Sequence, residues 1–292
     1  MADNTVACVI PTIGRPELAR AVASVSEQSR KTEIIVVLDR PDEESSVKAM
    51  LQQWDVTLLT TNGGEGGNVA RNTGVRAATS LFVAFLDDDD WWAPHKLEKQ
   101  MRAVERAEVR GPIVAATAFW FHRGNAVSAI PRQAYDSERE DPASYLVRRD
   151  RLLFGQNAMQ TSSLIVSKQL ALEVGWCATM RKHQDWDFIA RCLRRADVSF
   201  VWVPDPLVHV VQGSEGSISR GANWEQSLAW LEEHRQHLSA RAAADFTCVH
   251  ILRSALRHRD REGVGKAVSL IKMFGMPHLA ALAVGLSGVR GS

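Results

Sequence analysis

A rhythm constrains this chain more than any other feature. Over the first hundred residues, short and almost uninterrupted apolar runs alternate with segments of helical periodicity. Val6 to Ile10 and Ile34 to Leu38 are apolar at every position. Successive side chains of a strand point to opposite faces, so such runs suit strands buried on both sides, as in a parallel sheet covered by helices. The expected order is strand Thr5 to Ile10, helix Pro16 to Gln28, strand Glu33 to Leu38, helix Asp42 to Trp54, strand Val56 to Thr60, helix Asn68 to Thr79 and strand Leu81 to Leu86. This is a βαβαβαβ, Rossmann-like half.

Further on, a helix after Pro94 runs to about Arg106 and a strand covers Ile113 to Phe121. Residues 123–150 are rich in charge and poor in periodicity and read as an irregular loop. Thr161 to Val166 reads as a strand, Ser167 to Val174 as a helix with Ser167 as N-cap and Gly175-Trp176 as the stop. A helix begins at Asp185, and Ser199 to Val203 closes the core as the last strand. Helical segments are expected at Trp224 to His237, Ser239 to His258 and Val264 to Gly285. The expectation is a large α/β domain over residues 1–220 and a helical region over 221–292.

Composition excludes several classes. The hydrophobic share of 45% and charged share of 24% are those of an ordinary globular protein. A net charge of +1 argues against a nucleic-acid binder that works by neutralising phosphates. The charge is unevenly placed: residues 241–292 hold eight Lys and Arg against three Asp and Glu, net +5, and the rest is net −4. Basic residues such as Arg253, Arg257 and Lys266 accompany apolar ones such as Ile271 and Leu282 there. That pattern suits either peripheral contact with an anionic membrane surface or helices packed with basic residues outward. No run reaches the roughly 18 apolar residues of a bilayer span. Four scattered cysteines without a C-x-x-C pair, after a start that runs straight into a strand, lead to an expected cytoplasmic location, with the membrane's inner face as a possible second address.

In open α/β sheets ligands sit beyond the carboxyl ends of the strands. Pro11-Thr12, Asp39-Arg40, Asn62 to Gly67 and Asp87 to Asp90 fall there. The sharpest signal is Asp87-Asp88-Asp89-Asp90, directly after an apolar strand and before Trp91-Trp92. Hard divalent cations take carboxylate oxygens and leave positions open for substrate phosphates, so a D-x-D spacing can hold Mn²⁺ or Mg²⁺ against a diphosphate. The plainer reading is a solvated turn in which Asp90 helps cap the helix begun near Pro94. Gly63 to Gly67 does not match G-x-G-x-x-G and does not follow the first strand. His234 with His237 reads as a solvated helix face.

Four blocks, Val9 to Glu17, Glu33 to Asp39, Ala70 to Gly74 and Val83 to Trp92, resemble in order and spacing the family 2 glycosyltransferases of GT-A fold. The resemblance continues at His183-Gln184-Asp185-Trp186-Asp187 and covers about residues 5–220; Gln184 stands where the family often has Glu, and Leu38 where it often has Asp. It implies a Rossmann-like mixed sheet flanked by helices, with a nucleotide-binding half at 1–110, an acceptor half at 111–220 and a C-terminal helical extension. The implied activity is inverting transfer of a sugar from a nucleoside diphosphate, UDP before others, to a hydroxyl of a saccharide, lipid-linked glycan or small molecule. Pro11, Thr12, Arg15 and Asp39 would serve the nucleotide, with Arg71 and Asp88 at the nucleotide or its phosphates and Asp87 at the ribose or the metal. Asp89 would hold the metal, and His209 would join it or the phosphate. Asp185 would be the general base, although an Asp at that place also suits an N-cap. Trp92 and Trp186 are candidates to face a sugar or to fill core. Ser214, Ser217 and Ser219 are candidate phosphate donors or a turn. A sugar-1-phosphate nucleotidyltransferase and a catalytically silent nucleotide-sugar binder or scaffold are the alternatives, and oligomeric state is open.

Overall fold

The computed structural model describes residues 5–152, 155–213 and 224–290. The chain forms two compact units. The first gathers Met1–Ile130, Met159–Thr179 and Arg191–Ser214, and the second Pro131–Ala158, Met180–Ala190 and Glu215–Ser292.

The first unit is a nine-stranded mixed sheet with helices. Its strands are β1 (Val6–Thr12), β2 (Glu33–Leu38), β3 (Thr57–Thr60), β4 (Phe82–Phe85), β5 (Trp91–Trp92), β6 (Ile113–Arg123), β7 (Ala126–Ile130), β8 (Ile165–Ser167) and β9 (Ser199–Val211). They lie in the order β3-β2-β1-β4-β8-β6-β9-β5, with β7 paired to β6. The helices are α1 (Leu18–Ser26), α2 (Glu44–Leu51), α3 (Gly67–Ala77), α4 (Lys96–Arg106) and, after α5 (Pro142–Val147) of the second unit, α6 (Lys168–Val174). β1 pairs in parallel with β2 and β4, and β2 with β3, while β8 runs antiparallel to β4 and β6. All of β1, and β2 after its first residue, are buried, as their continuous apolar runs require. β3 is at most half-buried, as an edge strand can be. Helix α3 lies close on β1: a Cβ on Gly74 would meet Val9 Cγ1 at 2.4 Å.

Boundaries depart from the sequence pattern where hydrogen bonding overrides it. Expected strand Thr161 to Val166 divides into a 3-10 turn, Thr161–Ser163, and β8. Inside that turn, buried Ser163 donates to the Gln160 carbonyl at 2.6 Å. Ser167 precedes α6 without capping it and accepts the Ile113 N–H at 2.9 Å instead. β9 extends to Val211, and its register against β6 shifts beside Ala118, which faces Pro206, a residue with no N–H for the ladder.

The second unit is helical. Helix α5 (Pro142–Val147) has Pro142 in its first turn, and Asp141 accepts the Ala143 N–H at 2.8 Å, a helix start inside the stretch expected to be irregular. α7 (Gln184–Leu193) belongs to this unit up to Ala190. It is followed by α8 (Trp224–His234), α9 (Ala240–Phe246), a π-helical turn Thr247–Leu252, α10 (Arg253–Arg257), α11 (Arg261–Phe274) and α12 (Leu279–Leu286). Ser239 and Asp260 cap α9 and α11. The single helix expected over Val264 to Gly285 is two, because Gly275 takes φ +97° and Pro277 follows it, a stop that α-helices commonly use. Buried Asp245 accepts from the backbone N–H of Arg149 at 3.0 Å and of His278 at 2.7 Å. Among the described residues no helix is long and apolar enough to cross a membrane.

Candidate active site

The four aspartates leave β4 with alternating fates. Side chains of Asp87 and Asp89 are 27% and 17% exposed, against 9% for Asp88, and Asp90 as a residue is 1% exposed. The outward pair has the D-x-D spacing. Asp90 Oδ2 accepts from the Ser162 hydroxyl at 2.7 Å and from Gln160 Nε2 at 3.3 Å, and its Oδ1 accepts the Val211 N–H at 3.0 Å. Burial raises its pKa well above the carboxylate range, assisted by the charges of Asp87 and Asp89. The Ser162 hydroxyl also accepts the Asp87 N–H at 3.0 Å, so one buried hydroxyl ties the first and last aspartates together. Asp90 is thus a core anchor, and it caps no helix: the residue before α4 is His95, without a side-chain cap bond.

Thr12, at the end of β1, donates to Asp88 Oδ2 at 2.7 Å and accepts the Gly14 N–H. Arg15 reaches Asp88 at 3.3 Å and Asp89 at 3.5 Å. Burial pushes the Asp88 carboxyl up to about 6, opposed by the Thr12 bond and the Arg15 charge. Arg20, absent from the sequence reading, donates to the Asp89 carbonyl at 2.7 Å and lies 3.9 Å over the Trp91 ring. On the opposite side, Arg71 of α3 pairs with Asp87 at 2.6 Å and stands over Trp176. Glu65, six residues before Arg71, bonds Asn62, and Asp87 takes the guanidinium. Gln160 Nε2 reaches Asp87 as well, at 3.2 Å.

Asp39, at the end of β2, is buried and spends its oxygens on the glycine-rich loop. It accepts the Gly66 N–H at 2.7 Å, the Glu65 N–H at 3.0 Å and the Thr61 hydroxyl. Asn72 clasps Trp176, accepting its N–H and donating to its carbonyl, both at 2.8 Å. His209 of β9 faces Trp91 of β5 in register, stacks on it at 4.6 Å and bonds His122 at 3.0 Å. Burial lowers its pKa, and His122 and Arg20 lower it further. Trp92 is buried under the Lys96 ammonium, 3.9 Å from its ring, and donates Nε1–H to the Ser162 carbonyl. The first unit therefore gathers Thr12, Arg15, Arg71 and the acidic run. Ser214, Ser217 and Ser219 lie outside the described residues.

In the second unit Asp185 sits within the first turn of α7 and accepts the Trp186 N–H at 2.9 Å. Two residues on, Asp187 is 2% exposed and accepts from His234 at 3.1 Å. His234 is itself 1% exposed, so the expectation of a solvated face fails there: a buried carboxylate on another helix supplies the partner that makes its burial tolerable. His183, in the left-handed region at φ +59°, stacks on Trp186 at 4.7 Å and bonds Ser227 at 3.1 Å.

Residues 7–173 match the family described as Glycosyl transferase family 2. The chain belongs to that family. As a family 2 glycosyltransferase it acts on nucleotide sugars. It is 27% identical over 256 residues to the amylovoran biosynthesis glycosyltransferase AmsB of Erwinia amylovora, covering 82% of this chain and 81% of that one. TarS 1-349 of S. aureus in complex with UDP-GlcNAc shares the fold with TM-score 0.61 at 12% identity, over 99% of this chain and 92% of that one, and the chain spans 53% of a longer TarS structure. The mannosyltransferase PcManGT of Pyrobaculum calidifontis, in complex with GDP-Man and Mn²⁺, aligns with TM-score 0.51 at 17% identity, over 98% of this chain and 74% of that one. These likenesses and the mixed sheet make the fold GT-A.

Among the described residues no three His, Cys, Asp or Glu side chains converge as a metal group. The donor set of this glycosyltransferase nevertheless fits a hard cation. Asp87 and Asp89 offer carboxylate oxygens on the solvent side of the run, and ions such as Mg²⁺ are held by one or two carboxylates with substrate phosphates completing the shell. Arg20, His122, Gln160 and Ser162 carried no motif, since each is placed by tertiary pairing rather than by local pattern.

Proposed function

We propose that this glycosyltransferase inverts the anomeric centre, moving a sugar from a nucleoside diphosphate, UDP before others, to a hydroxyl of a saccharide, lipid-linked glycan or small molecule. The observation that carries the reading is the alternation of the acidic run: Asp87 and Asp89 outward, Asp88 and Asp90 locked inward. In this reading residues 1–110 bind the nucleotide, with Pro11, Thr12 and Asp39 along the base, and residues 111–220 serve the acceptor. Residues 221–292 form the helical extension. Asp87 and Asp89 hold Mn²⁺ or Mg²⁺ and His209 stands by, its other nitrogen turned from His122. When bound, the cation supplies neutralisation of charge developing on the departing diphosphate.

The chain's own groups divide the remaining work. Arg15 and Arg71, now paired with carboxylates, are positioned to exchange them for phosphate oxygens, fixing the donor. Asp185 takes the proton of the acceptor hydroxyl as its oxygen attacks the anomeric carbon, and Trp186 flanks the acceptor. The same reading puts the enzyme in the cytoplasm, peripheral on the inner face of the membrane, supported by the basic excess after residue 240. Asp185→Asn is the test: turnover should fall by about 10²- to 10⁴-fold while donor affinity stays within about twofold. Unchanged turnover would remove Asp185 from the chemistry.

A further inference from the structure

The second unit holds a groove of about 670 Å³, a volume usual for small-molecule sites. One wall is α12, apolar at every position and turned with its small side chains inward. Ala280, Ala281 and Gly285 are buried, whereas Leu279 is 77% and Leu286 51% exposed. Gly285 shows how tightly that inner face is pressed, because a Cβ there would stand 2.8 Å from the Cys248 carbonyl oxygen. A helix apolar all round is normally covered all round. Here the larger residues face outward, and Met276 is 76% exposed beside them.

The rest of the lining mixes charged and polar residues with Leu152. It includes Arg132, Arg151 and Asp150. Asp150 is paired with Arg148, while neither Arg132 nor Arg151 forms an ion pair among the described residues. Two guanidiniums that pair with no carboxylate among the described residues, beside an apolar helix, complement a ligand with an anionic head and a hydrocarbon chain. Arginine's fork suits phosphate oxygens.

We propose that this groove binds a phosphate-headed lipid, the head on Arg132 and Arg151 and the chain along Leu279 and Ala283 of α12. Its role as the seat of a lipid-linked acceptor rests on the hydroxyl-acceptor reading above. The groove is built from Pro131–Ala158 and α12 within one unit, so it is a different place from the acidic run, and the two can be separated by mutation.

The test is calorimetric titration of the full chain with farnesyl diphosphate below its micellar concentration, in the presence of UDP and Mn²⁺. The expected result is one-site binding, with farnesol and inorganic diphosphate each binding at least about tenfold more weakly. Arg132→Gln with Arg151→Gln should weaken binding about tenfold or more. Ala283→Trp, on an exposed position, should abolish it by filling the groove, and Asp89→Asn should leave it unchanged; melting curves establish that each variant is folded. Loss of binding in Asp89→Asn but not in the arginine variant would put the probe in the donor site and overturn the proposal. So would diphosphate alone binding as tightly, or anionic vesicles captured by Ala283→Trp as by wild type while farnesyl diphosphate binds neither. Failure of lipid binding with UDP binding intact sinks the groove and leaves the transferase reading standing.

Discussion

Ser162→Ala should loosen the acidic run and with it the donor. The Ser162 hydroxyl is fully buried and makes two bonds, accepting the Asp87 N–H at 3.0 Å and donating to Asp90 at 2.7 Å. Alanine fills almost the same space, so no cavity term enters. Two polar groups lose a partner, and among the described residues Asp90 keeps Gln160 and Val211. Each lost bond costs about 1–3 kcal/mol, giving about 2–6 kcal/mol in total, a large share of the usual stability of a domain. Ser163→Ala is the matched control. Among the described residues its hydroxyl bonds the Gln160 carbonyl alone, which also accepts the Ser163 N–H, so about 1 kcal/mol is expected. Urea unfolding measures both. UDP affinity in Mn²⁺ should fall about tenfold for Ser162→Ala and stay near wild type for Ser163→Ala. Equal stability losses, or a full-affinity Ser162→Ala, would refute the claim that this hydroxyl organises the run.

Two further outcomes follow from buried Lys96 and half-buried His183 and His250. Lys96 is fully buried with no hydrogen-bond partner for its ammonium among the described residues, and burial lowers its pKa to about 7, against the opposing pull of Cys8. Its folded pKa lies below its unfolded one, so wild type gains stability as pH rises from about 7 towards 10. Lys96→Met should therefore be more stable by about 1–4 kcal/mol at pH 7, an advantage that shrinks in alkali; a less stable variant at pH 7 would contradict the assigned cost. His183 and His250 are held well below the usual histidine range by desolvation, the first also by His250 and Lys182, the second also by Lys182, Arg149 and Arg253. Each should cost stability as pH falls below about 6.5, by about 1.4 kcal/mol per pH unit. Asp88, with its raised pKa, acts in the opposite sense over part of that range, so the readout is the difference in melting between wild type and His250→Phe from pH 7 to 5. Parallel curves would show that His250 titrates normally.

The first four strands were legible because each element carries its own signal: continuous apolar runs for β1 and β2, and 3.6-residue periodicity for the helices between them. What was not legible depends on partners distant in sequence. β5 is two residues that exist as a strand only against β9, and β7 is largely exposed and lacks an apolar period. The acidic run shows four identical side chains, and the partners that hold Asp88 and Asp90 inward, among them Thr12, Gln160, Ser162 and Val211, are distant in sequence. His234 read as solvated because its partner, Asp187, lies 47 residues away. Gly275 and Pro277 are different. Their stop signal was local, and the apolar run through them hid it.

The most direct test of the central claim is calorimetric binding of UDP, dTDP and GDP with and without Mn²⁺, on wild type and on Asp89→Asn. UDP is expected to bind when Mn²⁺ is present, binding should fall at least about tenfold without it, and Asp89→Asn should fall as far. Nucleotide binding indifferent to both the cation and Asp89 would contradict it.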